Sequence, residues 1–211
     1  VNRKTNPERI TMIWKTEISP LLKDVELRNA PIIIRVNKFT EDSAKKFHNE
    51  MARAHSTGQK IIPVVIDSYG GQVYSLMSMI SAIRSADLPV ATIVEGKAMS
   101  CGAVLMTFGA EGLRFADPDA TIMIHDVSSG GHGKIEELKA DVAEAERLDE
   151  KIYTMMARNC GKKDDYFKKK VFQKKHADWF MGPEEAKKHG MANHLRLPIM
   201  NIKVAVDIDF E

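Results

Sequence analysis

The 211-residue sequence contains only two cysteines, Cys101 and Cys160, and they lack the spacing of metal ligands. Two cysteines are too few for a disulfide framework, which is typical of proteins from a reducing compartment. No apolar run approaches the roughly 20 residues of a membrane-spanning helix, and the first residues lack the apolar core of a signal peptide. We therefore expect a soluble, cytoplasmic protein that binds neither membranes nor metals.

The chain also lacks an excess of charge of either sign, because it contains 31 Lys and Arg residues and 29 Asp and Glu residues, a net charge of +2. This balance does not indicate a nucleic-acid partner. No linker rich in proline, glycine or serine divides the chain, so one domain is expected. Residues 1–29 mix charged and apolar positions without a period, whereas clear patterns begin after residue 30. We therefore predict a separate N-terminal segment, 1–29, without a clear pattern, and a single domain, 30–211.

Branched apolar runs alternate with amphipathic segments in the first half of the chain. Each run has the length of a buried strand, and each following segment has the period of a helix. This alternation predicts an α/β fold, in which right-handed crossovers build a largely parallel sheet covered by helices. The predicted strands are 31–36, 61–67 and 90–94, and the helices that follow begin near residues 40, 72 and 100.

The longest helix signal runs from about residue 135 to 159, after two short strands that place His125 at a strand end. Apolar residues recur there every three or four positions on an otherwise charged segment about 37 Å long, at 1.5 Å per residue. Two arrangements are open: the helix packs entirely on its own sheet, or its far half extends outward and packs against another copy of the chain.

Ser100 follows the third predicted strand and precedes small and apolar residues that are typical of a buried helix. The first amides of a helix have no partner within it, so they can stabilise a developing negative charge. A serine beside such amides suits acyl transfer, although a serine that merely caps the helix is an alternative. The segment is not the G-x-S-x-G turn of other hydrolases, because Ala98 stands at its first glycine.

Histidine and aspartate complete the residue types of a serine-hydrolase triad. His125 follows an apolar strand, and Asp178 stands before apolar residues, where a carboxylate is costly unless it is paired. Spacing alone does not show whether these side chains meet Ser100.

Four segments resemble the Clp proteolytic subunit (ClpP) family of serine peptidases, in matching order. They are 66–73, 98–103, 122–125 and 178–186. The resemblance implies the ClpP/crotonase-like fold, an α/β spiral of repeated β-β-α units with a long protruding handle helix at about residues 135–160. It also implies that residues 30–211 form the peptidase domain.

The resemblance further implies a role for each matching site residue. Ser100 would be the nucleophile, His125 the general base and Asp178 the carboxylate that orients it. The backbone amides of Gly71 and Cys101 would form the oxyanion hole. Only their amides are required, so the side chain of residue 101 can vary.

By the same resemblance, Gly70 and the loop of Ser129, Gly130 and Gly131 would bind an extended polypeptide as an added strand. The family implies a homo-oligomer, with heptameric rings stacked through the handle helix into a tetradecamer. An AAA+ unfoldase is a possible partner, and no cofactor is implied. We expect Leu148→Asp, on the handle helix, to separate the rings.

The predicted function is a serine endopeptidase that hydrolyses unfolded or extended polypeptides through an acyl-enzyme inside an oligomeric chamber. ATP would be needed only by a separate unfoldase. Alternatives are a crotonase-like acyl-CoA enzyme, a Ser/Lys peptidase with Lys97 or Lys134 as base, and a non-catalytic subunit of a protease ring. The complete set of serine, histidine and aspartate argues against the first and the third, and His125 in a segment that matches the family argues against the second.

The sequence departs from the family pattern at three places. Tyr69 stands where a proline is usual, and Asp126 follows the histidine where an amide is common. Residues 1–29 do not resemble the family's N-terminal pore loop, which bears on docking to an unfoldase and not on peptide hydrolysis.

Overall fold

The structure, a computed structural model, describes residues 30–128, 130 and 132–201. All of its strands and helices lie in one compact unit, Asn29–Pro198. The predictions for residues 1–29 lie outside the described residues. The division of the chain at residue 30 therefore stays a prediction.

Six described strands form one sheet in the order β1-β2-β3-β5-β6, and β4 pairs with β3 beside β5. Every pairing is parallel except that of β5 with β6, which is antiparallel. The predicted, largely parallel α/β sheet is thus confirmed. The strands are β1 (Ile34–Val36), β2 (Ile62–Ser68), β3 (Val90–Met99), β4 (Arg114–Ala116), β5 (Thr121–Ile124) and β6 (Trp179–Met181).

Helices follow the first three strands one by one, whereas β4 and β5 succeed each other before the longest helix. The described helices are α1 (Glu41–His55), α2 (Val73–Arg84), α3 (Cys101–Met106), α4 (Ile135–Asn159), α5 (Tyr166–Gln173) and α6 (Pro183–Lys188). None of them is both long enough and apolar enough to cross a membrane.

Helix α1 shows how local sequence sets an element of this fold. Thr40 caps it, since its hydroxyl accepts a hydrogen bond from the Ser43 amide at 3.2 Å, and the Ser43 hydroxyl accepts one from the Thr40 amide at 2.8 Å. This reciprocal pair satisfies backbone donors that the first helical turn leaves free. Phe47 and Met51, one turn apart on the apolar face, are buried in the core.

Strand β3 is longer than predicted and positions the candidate site. The prediction ended at Val94 because the next residues are not apolar, but the strand continues to Met99. Its first half pairs with β2 and β4, and its last three residues pair with β5, where Met99 lies opposite Met123. The residue that follows β3 is thereby brought beside the end of β5.

Helix α4 combines the two arrangements that its sequence left open. Every residue from 135 to 143 is exposed, so this end protrudes, whereas the second half contributes buried residues to the core. Ile135, Leu138 and Val142 are the apolar residues that it exposes. Leu148 is buried within the chain itself. The choice of Leu148→Asp as a test of ring contact was therefore wrong, because a charge there would disturb the fold.

Candidate active site

Ser100 occupies the sharp turn between β3 and α3. Its backbone has φ 53° and ψ −122°, a conformation that costs a residue with a Cβ atom about 1–3 kcal/mol. The turn is fixed from both sides, because the Ser100 amide donates to the Met123 carbonyl at 2.9 Å and the Val104 amide donates to the Ser100 carbonyl at 3.2 Å. The Ser100 side chain makes no capping hydrogen bond within the described chain, so the reading of a simple cap is wrong.

His125 lies at the end of β5, next to the end of β3. Its Nε2 atom is 2.9 Å from the Ser100 Oγ atom, which places the hydroxyl to donate its proton to the imidazole. Because the carboxyl ends of adjacent parallel strands meet at one edge of a sheet, the fold itself creates this contact. A serine hydroxyl needs such a base to become a nucleophile.

Asp178 reaches the same histidine from the other side. It precedes β6, whose first residue, Trp179, pairs with Ile124 of β5. Its Oδ1 atom is 3.6 Å from His125 Nδ1, an ion-pair distance that is longer than a hydrogen bond. The structure therefore brings together the three residues that the sequence singled out, with a tight serine–histidine contact and a looser histidine–aspartate contact.

Gly70 and Gly71 allow the loop after β2 to pass close to Ser100. Both have positive φ angles, 110° and 147°. A Cβ atom on Gly70 would lie 2.7 Å from the Ser100 Cβ atom, and one on Gly71 would lie 2.5 Å from the Phe39 carbonyl oxygen. Only glycine fits at either position, because both the conformation and the space exclude a side chain.

Gly71 and Cys101, whose amides are predicted to form the oxyanion hole, both line the pocket beside Ser100. Cys101 is the first residue of α3, so its amide has no acceptor in the helix. Neither amide donates a hydrogen bond to another described residue. The Cys101 thiol donates to the Gly71 carbonyl at 3.2 Å and so joins the two segments. Burial raises the pKa of this thiol to about 11, which disfavours its thiolate form.

A small pocket opens beside Ser100 and His125. Its volume is about 60 Å³, and apolar side chains from four elements form much of its wall. The apolar residues include Val73, Val104, Ile124, Ile152 and Met156. An apolar pocket next to a nucleophile is suited to an apolar side chain of the substrate.

Lys97, the alternative base, is engaged elsewhere. Its Nζ atom is 2.8 Å from Asp67 Oδ1 and lies over the ring of Tyr69, 4.4 Å from the ring centroid. The hydrogen bond to Asp67 raises the pKa of Lys97, which keeps it charged and unable to accept a proton. Lys134, the other candidate, is an exposed residue just before α4.

The predicted substrate loop is only partly described. Gly130 is exposed, with open space where a side chain would be. Ser129 and Gly131 lie outside the described residues, so strand pairing by this loop stays a prediction. Within the described ranges, no group of three His, Cys, Asp or Glu side chains is arranged to hold a metal ion.

A polar network behind the imidazole was missed by the sequence reasoning. Asp126 Oδ1 accepts a hydrogen bond from the Tyr153 hydroxyl at 2.8 Å, and Asp126 Oδ2 accepts one from His176 Nδ1 at 2.6 Å. The Val127 amide donates to Asp149 Oδ1 at 2.7 Å. Asp126 was noted as an unusual neighbour of the histidine, but its partners come from α4 and from the turn after α5. The sequence offered one sign of this network: Tyr153 stands on the apolar face of α4, where its hydroxyl needs a hydrogen-bond partner.

Comparison with known proteins found matches over most of the chain. A family model described as Clp protease matches residues 22–196. Two relatives named ATP-dependent Clp protease proteolytic subunit, from Bacteroides fragilis strains NCTC 9343 and YCH46, are each 32% identical to the chain over 136 residues. The match covers 64% of this chain, and 64% and 60% of the two relatives, less than two thirds of their length.

Proposed function

This chain belongs to the Clp protease family, and on that premise we propose that it is a serine endopeptidase that hydrolyses unfolded or extended polypeptides. The observation that carries the proposal is the 2.9 Å contact between His125 Nε2 and the hydroxyl of a serine in a strained turn. Strained turns of this kind cluster at active sites, where a reacting group must be held in place.

In the first half of the reaction, His125 Nε2 takes the proton of the Ser100 hydroxyl as Oγ attacks the substrate carbonyl. The resulting oxyanion is stabilised by the amides of Gly71 and Cys101. The imidazolium then gives its proton to the leaving amine, and an acyl-enzyme remains on Ser100. In the second half, His125 takes a proton from water as the water oxygen attacks the acyl carbonyl. The bond between Ser100 Oγ and the carbonyl carbon then breaks, the imidazolium returns its proton to Oγ, and the carboxylic acid leaves.

Asp178 holds the imidazole in the tautomer that leaves Nε2 free to accept a proton, and it stabilises the imidazolium. The 3.6 Å separation of Asp178 Oδ1 and His125 Nδ1 is compatible with this role, because catalytic hydrogen bonds often tighten only when the substrate is bound.

Substrate binding is assigned to the pocket and to the loops around it. The apolar pocket of about 60 Å³ would take an apolar side chain next to the scissile bond. Gly70 and the loop of Ser129, Gly130 and Gly131 would pair with the extended backbone, which gives affinity without sequence specificity. Such binding favours unfolded polypeptides, because folded chains do not present a free strand.

We further propose that the chain works as a homo-oligomer, with heptameric rings stacked into a tetradecamer, in the cytoplasm. The support is the protruding end of α4, which exposes the apolar side chains of Ile135, Leu138 and Val142. A second copy would bury these side chains. A closed chamber would exclude folded proteins, and an AAA+ unfoldase would then supply the unfolded substrate.

Intact mass after treatment with a fluorophosphonate tests the proposed activity. We expect one covalent adduct on the parent protein and none on Ser100→Ala. Ser78→Ala is a matched control, because Ser78 Oγ also lies 3.0 Å from a histidine nitrogen, His48 Nε2, but on the α2 surface away from any oxyanion hole. The control should keep the adduct.

A parent oligomer that forms no adduct and does not cleave an unfolded protein would refute the proposal. The non-catalytic subunit and the acyl-CoA enzyme would then become the better hypotheses. Loss of the adduct in Ser78→Ala instead of Ser100→Ala would also refute it.

A further inference from the structure

We propose that His176 is a positioning residue that holds the Asp178 carboxylate beside His125 through its contact with Asp126. The inference rests on the proposed peptidase function and adds a residue to the machinery that the sequence comparison does not assign. His176 touches neither the serine nor the substrate pocket, so any effect on the reaction passes through other groups.

The first step of the argument is the place of this contact in the chain. His176 Nδ1 donates to Asp126 Oδ2 at 2.6 Å. Asp126 is the residue after the general base, and His176 is two residues before the orienting carboxylate. The contact therefore joins the two segments whose separation sets the distance between His125 and Asp178.

The second step is that Asp126 is a fixed point. Its other oxygen accepts from the Tyr153 hydroxyl at 2.8 Å, and Tyr153 is buried in the second half of α4. One turn earlier on the same helix, Asp149 Oδ1 accepts from the Val127 amide at 2.7 Å. Two hydrogen bonds thus anchor the segment after His125 to a packed helix. Burial and the bond to Asp126 raise the pKa of Tyr153, so its hydroxyl keeps the donated proton.

The third step is that the segment carrying Asp178 needs such an anchor. All residues from 172 to 178 are exposed. Lys175 and His176 have φ angles of 57° and 58°, a conformation that residues with a Cβ atom rarely adopt. On its C-terminal side Asp178 is held by Trp179, which pairs with β5. On its N-terminal side, the His176 contact links the turn to the segment that follows His125.

The ring of His176 is also held in orientation. It stands edge-on to the Phe172 ring, with 5.6 Å between the ring centroids. A charge-assisted hydrogen bond to a carboxylate is shorter and stronger than a neutral one, as the 2.6 Å separation from Asp126 indicates. The side chain of His176 is therefore oriented from two directions although it is exposed.

The test measures whether His176 acts through Asp178. We would compare His176→Ala in the parent and in an Asp178→Ala background, using peptide turnover and the rate of fluorophosphonate labelling. In the parent, kcat should fall about 5- to 10-fold while KM stays within about twofold, because the substrate contacts are untouched. In the Asp178→Ala background, the same change should have no further effect, since no carboxylate remains to be positioned.

Two further variants separate positioning from general disturbance. His176→Gln retains a donor that can reach Asp126, so it should recover part of the lost kcat. Lys175→Ala is the matched control, because Lys175 shares the left-handed turn but makes no described side-chain contact with Asp126. It should keep the parent rate. Thermal unfolding would check that all variants are folded.

A loss of the same size in both backgrounds, or no loss in the parent, would overturn the inference. So would a fall that appears mainly in KM. These outcomes leave the labelling of Ser100 in the parent intact, so they are distinct from a failure of the peptidase proposal, in which the parent itself is not labelled.

Discussion

The two sides of the imidazole are built very differently. Ser100 and His125 follow adjacent parallel strands in the middle of the sheet, and their contact is 2.9 Å. Asp178 lies on an exposed segment before the edge strand β6, 3.6 Å from the same ring. The nucleophile side is fixed by the core, whereas the carboxylate side is fixed by a few surface contacts.

This difference shows how precision is distributed in the site. The attack needs the serine and the base in place to within a fraction of an ångström, and the strand ends provide that placement. The carboxylate acts through the ring and is 53% exposed, so water competes for its role. The side that must be accurate is therefore rigid, and the side that adjusts the rate is accessible to neighbouring groups.

Gly70→Ala should cause the largest loss of activity, because it displaces Ser100. The added Cβ would lie 2.7 Å from the Ser100 Cβ in a backbone with φ 110°, so the serine must move. We expect kcat to fall about 10²- to 10³-fold, since a displacement of about 1 Å costs roughly 10²-fold. Gly182→Ala, where the space is open and φ is −79°, is the control and should keep its activity. If Gly70→Ala keeps the parent rate, the claim that the core fixes the position of Ser100 is contradicted.

The carboxylate side should be less sensitive. Asp178→Ala is expected to lower kcat about 10²-fold at most, which is less than removal of His125, because water can partly replace an exposed carboxylate. Asp164→Ala is a matched control, because its carboxylate is about as exposed as that of Asp178 and pairs with a side chain outside the site, Arg158. A loss as large as that of His125→Ala, in the same peptide assay, would mean that the two sides act as one rigid unit.

The smallest expected effect is a change in the free energy of unfolding, and it concerns the turn that precedes Asp178. Lys175 occupies the left-handed position after α5, where its amide donates to Phe172 and the next amide donates to Val171. Glycine is preferred at this position of a helix end. Lys175→Gly should therefore stabilise the fold by about 0.5–1 kcal/mol in urea unfolding.

Gln173→Gly provides the opposite control in the same helix. Gln173 is the last, exposed residue of α5, so glycine there should destabilise by about 0.5–1 kcal/mol. Equal signs for the two glycine variants would contradict the assignment of strain to Lys175.

Much of this structure could be predicted from the sequence. The period of apolar residues gave α4 its correct ends, and the Thr40 cap marked the start of α1, because both signals are local. The residues of the candidate site were found through their resemblance to a family. Their meeting at one point depends on strand order, which a single sequence does not encode locally.

What could not be predicted depends on partners that are distant in the chain. The last five residues of β3 lack an apolar pattern, and they become a strand through pairing with β2 and β5. The three residues of β6 form for the same reason. Likewise, Asp126, Tyr153 and His176 carry no shared local signal, since their network exists only once α4 and α5 are in place.

The double pairing of β3 also limits how the chain can change in length. One residue inserted between Val94 and Met99 would turn every following side chain to the opposite face and would shift Ser100 by about 3.3 Å past the end of β5. An insertion in the exposed turn at 111–112 would leave both registers intact. Homologous chains should therefore differ in length at that turn and agree in length along β3.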